Sequence, residues 1–378
     1  MRNALNVLMV TPRYFPYIGG IETYVYEVGR RLVRNGINVT LLTTVAHSFP
    51  IPQPNEDIAE GMHIIRVQAW PPERDYHIAP EIYSIIRSGA WDVVHCQGYH
   101  TFVPLLAMLA AKKAKIPYVV SFLSGGDSDR FRKAIRGVQR MVLRPLLAEA
   151  KHLIGLSRWE VEFFRERLHL PSEQFIVISC GANHLPELTD CVERTKDSTL
   201  IVSVGRLERY KGHQRVITAL PKIQEQIPDV QLRIVGLGPY ESTLRELAKS
   251  LGVAERVEIR AVPPGDGRGM ASIIAQADLV TLLSEHEGQG IAVLEALALQ
   301  RPVLVADTSA LGEFAEQGLA RAVPLQSTPE EIARVALQQI IEPLIPPVSF
   351  VLPTWDECAE QLQTIYNACV EGREQCVS

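Results

Sequence analysis

Residues 284–296 read SEHEGQGIAVLEA and place two carboxylates, Glu287 and Glu295, eight positions apart on either side of a Gly-x-Gly turn. The apolar side chains after the turn predict a helix that carries Glu295, with Glu287 in the loop before it. Backbone amides at the start of a helix, here 288–292, lack intrahelical partners and favour a bound anion. The stretch therefore fits a nucleotide-sugar site, with a solvated surface segment as the alternative.

A second stretch, 203–213, reads SVGRLERYKGH and continues an apolar run that predicts a buried strand over 200–204. Gly205 ends the predicted strand, and Arg206 and Lys211 flank the short loop before the next helix. Two cations at the carboxyl end of a parallel strand suit a diphosphate, because a guanidinium forks onto two oxygens and an ammonium acts as a point charge. Ordinary surface charge is the alternative.

A third stretch begins with the strand pattern 231–235 and runs into Gly236-Leu237-Gly238-Pro239. Glycines after a strand let a ligand approach the backbone closely, although a Gly-x-Gly pair alone is weak evidence. The stretch adds to the other two without deciding the function.

In order and spacing these stretches resemble the nucleotide-binding half of the family 4 glycosyltransferases, which have the GT-B fold. The matching motifs are Gly-Arg-Leu followed by Lys-Gly, then Gly-x-Gly-Pro, then Ser-x-x-Glu-Gly-x-Gly with Leu-Glu-Ala, all within 200–312. The resemblance implies an α/β protein of two doubly wound Rossmann-like domains that face a central cleft. It also implies that Arg206 and Lys211 bind the donor diphosphate, Glu287 the donor sugar and Glu295 the ribose hydroxyls.

The resemblance supplies further donor-site residues. Gly19 and Gly20 precede a helix pattern after the first predicted strand, where family members carry a Gly-Gly loop that faces the donor diphosphate. Gln289 departs from the family, which usually has an aromatic residue there. The expected donor-binding set is Gly19, Gly20, Gly205, Gly236, Gly238, Ser284, Gly288, Gln289, Gly290, Ile291 and Glu295, with Arg206, Lys211 and Glu287 as the catalytic residues.

Three residues of the first half are candidates for contact with the acceptor or the donor sugar: His95, Ser124 and Asp127. His95 lies in the strand pattern 92–96, and a structural hydrogen bond is the alternative to ligand contact. Leu123 or Ser124 stands where many relatives have a histidine that contacts the donor sugar, so the sequence departs from the family at this position.

Residues 127–129 read Asp-Ser-Asp and imitate the Asp-x-Asp motif that holds a divalent metal in the other large glycosyltransferase fold. Three common residues arise together by chance, and no other feature of that fold is present. Because Arg206 and Lys211 can neutralise a diphosphate, we expect neither a metal nor a cofactor.

Composition and length limit the class of protein. The 378 residues, 47% hydrophobic and 21% charged, suit a globular enzyme of two domains. A net charge of −5 argues against a general nucleic-acid binder. No apolar stretch reaches the roughly 18 residues of a membrane span, no signal-peptide pattern is present, and the six cysteines contain no Cys-x-x-Cys pair. We expect the thiols to be reduced. We expect the protein in the cytoplasm, with the inner face of the membrane as a further location.

Short apolar runs alternate with helical periodicity in both halves, which is the pattern of two doubly wound parallel sheets. The predicted strands are 6–10, 38–44, 62–67, 92–96, 118–122, 152–156, 175–178, 200–204, 231–235, 257–261, 279–283 and 302–306. The predicted domains are 1–185, which binds the acceptor and is rejoined by a C-terminal helix within 355–378, and 199–354, which binds the nucleotide sugar. A polar linker, 186–198, connects them.

Residues 130–144 combine six cations with an apolar stripe at helical spacing and contain no acid. Such a basic amphipathic helix fits contact with an anionic membrane that carries a lipid-linked acceptor. A helix packed on its own domain with a solvated basic face is the alternative.

These expectations combine into a retaining, metal-independent glycosyltransferase that moves a sugar from a nucleoside-diphosphate sugar to a hydroxyl of a glycan, lipid-linked or small-molecule acceptor. Fixed positive charge would meet the departing diphosphate. Two alternatives remain at this point: a nucleotide-sugar epimerase of the same fold, and a catalytically silent protein that binds nucleotide sugars.

Overall fold

The structure is a computed structural model that describes residues 4–17, 19–45, 54–71, 78–99, 101–123, 130–186, 198–263, 265–347 and 349–374. Within these ranges the strands are β1 (Asn6–Val10), β2 (Asn38–Thr44), β3 (Glu56–Ala59), β4 (Met62–Val67), β5 (Val93–Gln97), β6 (Tyr118–Ser121), β7 (Leu153–Gly155), β8 (Phe175–Val177), β9 (Leu200–Val204), β10 (Gln231–Val235), β11 (Val257–Arg260), β12 (Leu279–Leu282), β13 (Val303–Ala306) and β14 (Arg321–Val323). The helices are α1 (Gly20–Arg34), α2 (Glu81–Ser88), α3 (Phe102–Ala114), α4 (Arg130–Leu147), α5 (Arg158–Leu168), α6 (His213–Gln224), α7 (Glu241–Ser250), α8 (Gly267–Ala275), α9 (Ile291–Ala298), α10 (Ser309–Glu316), α11 (Pro329–Ile341) and α12 (Trp355–Glu374). The chain divides into two compact units, 1–180 with 355–378, and 181–354.

The first unit is built on one sheet with the strand order β3-β4-β2-β1-β5-β6-β7-β8. Its pairs are parallel except for β3 with β4, which is antiparallel. The central strands are apolar and buried on both faces, as parallel strands covered by helices require.

The last helix of the chain, α12, belongs to the first unit and packs on α1. Trp355 at its start is fully buried, and its ring centroid lies 6.0 Å from that of Tyr24. About three turns further along α12, the hydroxyl of Tyr366 lies 2.6 Å from Nδ1 of His95 on β5. Apolar and polar contacts together fix α12 to this unit.

The second unit is built on one parallel sheet with the strand order β11-β10-β9-β12-β13-β14. The central strand β9 pairs with β10 and with β12, so the loops that follow these three strands emerge side by side. Helices α6 and α11 contact each other beside this sheet, and their apolar side chains join the buried core. Because ligands of open parallel sheets bind at the carboxyl ends of the strands, the loops after β9, β10 and β12 are the expected binding edge.

Two glycines in the second unit are required by close approach of the backbone. A Cβ atom on Gly236 would lie 1.9 Å from the carbonyl oxygen of Gly205, and one on Gly212 would lie 1.9 Å from that of Leu283. Gly212 also has a φ of 79°, which favours glycine. These glycines let the loops after β9, β10 and β12 pack directly on one another.

The predicted fold class is confirmed, and β9 and β10 have the predicted bounds. Two strands escaped the sequence patterns, β3 and β14. Both lie at sheet edges. Strand β3 is polar and mostly exposed, whereas a central strand is buried. The apolar runs that reveal buried strands are therefore absent from them.

Candidate active site

The Lys211 ammonium and the Glu287 carboxylate form an ion pair in the second unit. Nζ of Lys211 donates to Oε1 of Glu287 at 2.7 Å, and the two side chains are only 16% and 10% exposed. Lys211 comes from the turn after β9 and Glu287 from the loop after β12, which are neighbouring strands. The hydroxyl of Ser284 lies 2.7 Å from the same carboxylate oxygen. The structure thus brings together three side chains that the sequence placed in the donor site.

Burial and charge act in opposite directions on Lys211. Desolvation acts to lower its pKa, but the Glu287 charge, the Tyr210 hydroxyl and the hydrogen bond to Glu287 raise it, and the pKa ends above its usual value. The ammonium therefore stays charged at neutral pH. An ammonium has three donor hydrogens, so the bond to Glu287 leaves further donors on Lys211 for anionic oxygens.

Arg206 lies at the end of β9, close to Lys211 in sequence, and it is less enclosed. Its Nη2 donates to the Tyr210 hydroxyl at 2.8 Å, and its Nη1 lies 3.1 Å from Glu208. The guanidinium side chain is 48% exposed, so it can exchange these contacts for a ligand at low cost. The ring of Tyr210 stacks on that of His286 with centroids 5.2 Å apart, which connects the loop after β9 to the loop after β12.

His213 connects strand β9 to the Arg206 loop by two hydrogen bonds. Its Nδ1 lies 2.8 Å from the Ser203 hydroxyl and its Nε2 lies 3.2 Å from the carbonyl oxygen of Arg206. A carbonyl only accepts, so Nε2 carries the proton and Nδ1 accepts from Ser203. Burial lowers the pKa of His213 to about 4, and the imidazole is neutral at pH 7. Sequence reasoning missed this residue, although it carries a signal, a histidine directly after the Lys-Gly pair.

Glu295 lies on α9, which begins after Gly290 at a φ of 101°. The Glu295 side chain is only 10% exposed, and its Oε1 accepts a hydrogen bond from Nε2 of His184 at 2.9 Å. His184 belongs to the segment that opens the second unit, and sequence reasoning missed it. A carboxylate offers about four lone-pair sites, so Glu295 keeps acceptor capacity beside this bond.

The amide-rich turn before α9 is buried. Gly288, Gln289 and Gly290 all have little exposed surface. Their backbone, and that of Ile291, lies between Glu287 and Glu295 as the sequence indicated. At the neighbouring loop, Gly238 has a φ of 159° and a Cβ there would lie 2.4 Å from the carbonyl oxygen of Leu207.

The loop after β13 also reaches the site, through two hydroxyl groups that sequence reasoning missed. Ser309 Oγ accepts from the backbone amide of Glu287 at 2.8 Å, and Thr308 Oγ1 donates to the carbonyl oxygen of Ser284 at 3.2 Å. No sequence pattern distinguishes these two residues from the cap of an ordinary helix.

The first-unit candidates fare differently. Gly19 precedes α1 and Gly20 begins it, as expected of a strand-to-helix turn. His95 is fully buried, with Nδ1 at 2.6 Å from Tyr366 and Nε2 at 2.8 Å from Ser121, and burial lowers its pKa to about 3. Both ring nitrogens are occupied within the core, so the structure favours the structural alternative for His95 over ligand contact.

Ser124 and Asp127 lie outside the described residues, as does the whole 124–129 segment. Residues 130–144 fall within α4, as predicted for the basic helix, but the side chains of its first turns are likewise outside the description. Leu123, directly before the undescribed segment, has a φ of 46° and is nearly buried.

Two features are absent from the part of the chain that the structure describes. No group of three or more His, Cys, Asp or Glu side chains in those ranges is arranged to hold a metal ion. No helix among them is both long enough and apolar enough to cross a membrane.

Comparison with known proteins matches two family models. Residues 190–342 match the family described as glycosyl transferases group 1, and residues 19–181 match the glycosyl transferase 4-like domain. Among curated proteins, the D-inositol 3-phosphate glycosyltransferase of Nocardiopsis dassonvillei is 26% identical, over 94% of this chain and 91% of its own. The GDP-mannose:cellobiosyl-diphosphopolyprenol alpha-mannosyltransferase of Komagataeibacter xylinus is 23% identical, over 84% of this chain and 79% of its own.

Solved structures share the fold. Sucrose-phosphate synthase from Thermosynechococcus elongatus superposes with a TM-score of 0.72 at 19% identity, covering 99% of this chain and 98% of its own. Anabaena HepE in complex with UDP-glucose gives a TM-score of 0.72 at 16% identity, covering 98% of this chain and 100% of its own. With both family models matched over the greater part of its length, the chain belongs to the family 4 glycosyltransferases, enzymes of the GT-B fold.

Proposed function

We propose that the protein transfers a sugar from a nucleoside-diphosphate sugar to a hydroxyl acceptor with retention of anomeric configuration and without a metal ion or cofactor. The observation that carries the proposal is the Lys211–Glu287 pair at the carboxyl ends of two neighbouring parallel strands. A largely enclosed cation and a carboxylate held side by side match the two chemical parts of such a donor, its diphosphate and its sugar hydroxyls.

Lys211 and Arg206 stabilise the leaving group. The bond between the anomeric carbon and the diphosphate oxygen breaks, and the diphosphate departs with the electron pair. Fixed positive charge is most effective where negative charge develops in a site of low dielectric. Lys211 is enclosed and keeps its charge, and the more exposed Arg206 can turn onto the outer phosphate oxygens.

Retention follows from attack on the face that the diphosphate leaves. The acceptor oxygen bonds to the anomeric carbon as the sugar gains oxocarbenium character, and the acceptor proton passes to a departing phosphate oxygen. This route requires no base side chain from the protein. It agrees with a site in which the Glu287 carboxylate is already engaged, since Lys211 and the Ser284 hydroxyl both contact its Oε1.

Glu295 holds the ribose of the donor. His184 occupies one acceptor position on its carboxylate, and the remaining lone pairs accept from two adjacent ribose hydroxyls. The backbone amides before α9 add neutral donors for phosphate oxygens.

The relatives narrow the substrate classes. The names of two curated relatives specify an inositol phosphate and a diphosphopolyprenol-linked disaccharide, and two structures of one solved relative, Anabaena HepE, contain UDP and UDP-glucose. We therefore place the acceptor among hydroxyls of phosphorylated small molecules and lipid-linked glycans, with UDP-sugars and GDP-mannose as the first donors to test.

The test is an assay of UDP-glucose and GDP-mannose, each with D-inositol 3-phosphate and with cellobiosyl-diphosphopolyprenol. Transfer with an unchanged anomeric configuration, determined by proton NMR of the product, is the expected result. An inverted product would remove the retaining mechanism. Epimerised donor without transfer would point to the epimerase alternative.

A further inference from the structure

The chain from Ala306 to Ser309, which connects β13 to α10, departs twice from the geometry that a helix start prefers. Thr308 is the N-cap residue of α10, yet its side chain makes no capping bond to the helix. Ser309 follows at a φ of 49°, in the left-handed region that non-glycine residues seldom adopt. Each departure is unfavourable for this segment alone.

Both departures are compensated at the same place, the loop 284–287. The Thr308 hydroxyl that does not cap α10 donates to the carbonyl oxygen of Ser284 at 3.2 Å. The Ser309 hydroxyl accepts from the backbone amide of Glu287 at 2.8 Å. One bond therefore holds each end of the turn that carries the Glu287 carboxylate.

The consequence for Glu287 is that it is fixed at both its backbone and its side chain. Ser309 holds the backbone amide, while Lys211 and Ser284 contact Oε1. Unfavourable local geometry that persists beside a functional group, supported by specific contacts, is typical of a segment that serves the site.

We propose that Ser309 is a positioning residue of the transferase, whose left-handed conformation and hydroxyl hold Glu287 in the orientation that the donor sugar requires. The inference rests on the proposed role of Glu287. Ser309 acts through Glu287 and contacts no reacting atom in this account.

A glycine at this position separates positioning from stability. Ser309→Gly removes the hydroxyl but suits a positive φ, so the fold is expected to unfold at the same temperature as the parent or higher. Turnover should nevertheless fall about tenfold, the effect of a small misplacement of a catalytic group, with a smaller change in the donor KM. Turnover would then fall while the melting temperature does not. Loss of structure cannot produce this combination, because it lowers both.

The matched control is His169→Gly, which replaces another residue at a φ of 49°, in the first unit at the end of α5. This control should raise or preserve the melting temperature and leave turnover unchanged. Ser309→Ala provides a second comparison, since it removes the hydroxyl and keeps the backbone strain. Its turnover should match that of Ser309→Gly, with a lower melting temperature.

Glu287→Gln, assayed in parallel, distinguishes the two levels of the proposal. If Glu287→Gln loses turnover and Ser309→Gly does not, the positioning role is overturned while the proposed function stands. If neither variant loses turnover, the role of Glu287 fails and that of Ser309 fails with it. Loss of turnover in Ser309→Gly accompanied by a lower melting temperature would assign Ser309 to structure only.

Discussion

Nζ of Lys211 lies 2.7 Å from Oε1 of Glu287, and this pair joins the loops that follow two adjacent strands of the second unit. Each member is largely removed from water, so neither charge is well screened by solvent. Removing one member would leave the other buried without its partner, which is more costly than losing an exposed ion pair. The pair therefore has two roles: it holds the two loops of the site together, and it supplies the charges of the site.

Replacing Lys211 should affect the reaction more than donor binding. If its charge acts mainly on the departing diphosphate, Lys211→Ala should lower kcat by about a hundredfold or more, with a smaller rise in the apparent donor KM. Steady-state kinetics with varied donor concentration measures both constants.

Lys222→Ala is the control for Lys211, because Lys222 is an exposed lysine of the same unit whose ion pair is with Glu225. It should have parent kinetics. A variant lacking both Arg206 and Lys211 that still turned over near the parent rate would place the diphosphate elsewhere.

Glu295 should govern affinity for the nucleotide. We expect Glu295→Ala to weaken binding of the bare nucleoside diphosphate by about 1–3 kcal/mol, the range for losing a charged hydrogen-bond partner. Isothermal titration calorimetry measures this change, and Glu330→Gln, an exposed carboxylate on α11, serves as the control. Parent affinity at an unchanged melting temperature would remove Glu295 from the site.

Catalysis should continue after metal ions are removed. Because two cationic side chains supply the positive charge near the predicted diphosphate, activity in excess EDTA should remain close to that without it. The assay compares initial rates before and after chelation. Complete loss that manganese or magnesium restores would return Asp127 and Asp129 to consideration as metal ligands.

The sequence was sufficient for the core of the fold, and it assigned Lys211 and Glu287 to the same donor without predicting that they pair. Strand β9 is apolar and β-branched, and its polar continuation carries Lys211, so pattern and spacing located both. The family resemblance assigned Glu287 and Lys211 to one donor, and the parallel strands β9 and β12 bring their loops to one edge of the sheet.

Residues that act through tertiary contacts could not be located in this way. His184 is 111 residues from Glu295 in sequence, and its position depends on the path of the chain into the second unit. Ser309 resembles any serine at a helix start until its φ and its bond to Glu287 are known. His95 shows the converse, since a polar residue within a predicted strand proved to be fully enclosed by the core.

The neutral state of His213 should make the second unit sensitive to acid. In the folded protein its pKa is about 4, whereas an unfolded histidine titrates near 6.5. Between these values the unfolded state binds the extra proton and the folded state does not, so stability is lost as the pH falls below 6.5. Because one pKa unit corresponds to 1.36 kcal/mol, the fall from 6.5 to about 4 costs roughly 3 kcal/mol of stability by pH 4.

The measurement is the unfolding temperature of the second unit between pH 7 and pH 5, compared between the parent and His213→Gln. The variant should be less stable at pH 7, because it loses the paired contacts to Ser203 and to the Arg206 carbonyl, yet its stability should depend less on pH. His169→Gln, at an exposed position, should keep the pH dependence of the parent. If the unfolding temperature of His213→Gln depended on pH as strongly as that of the parent, another group would bind the proton. His213 would then not be the cause of the instability in acid.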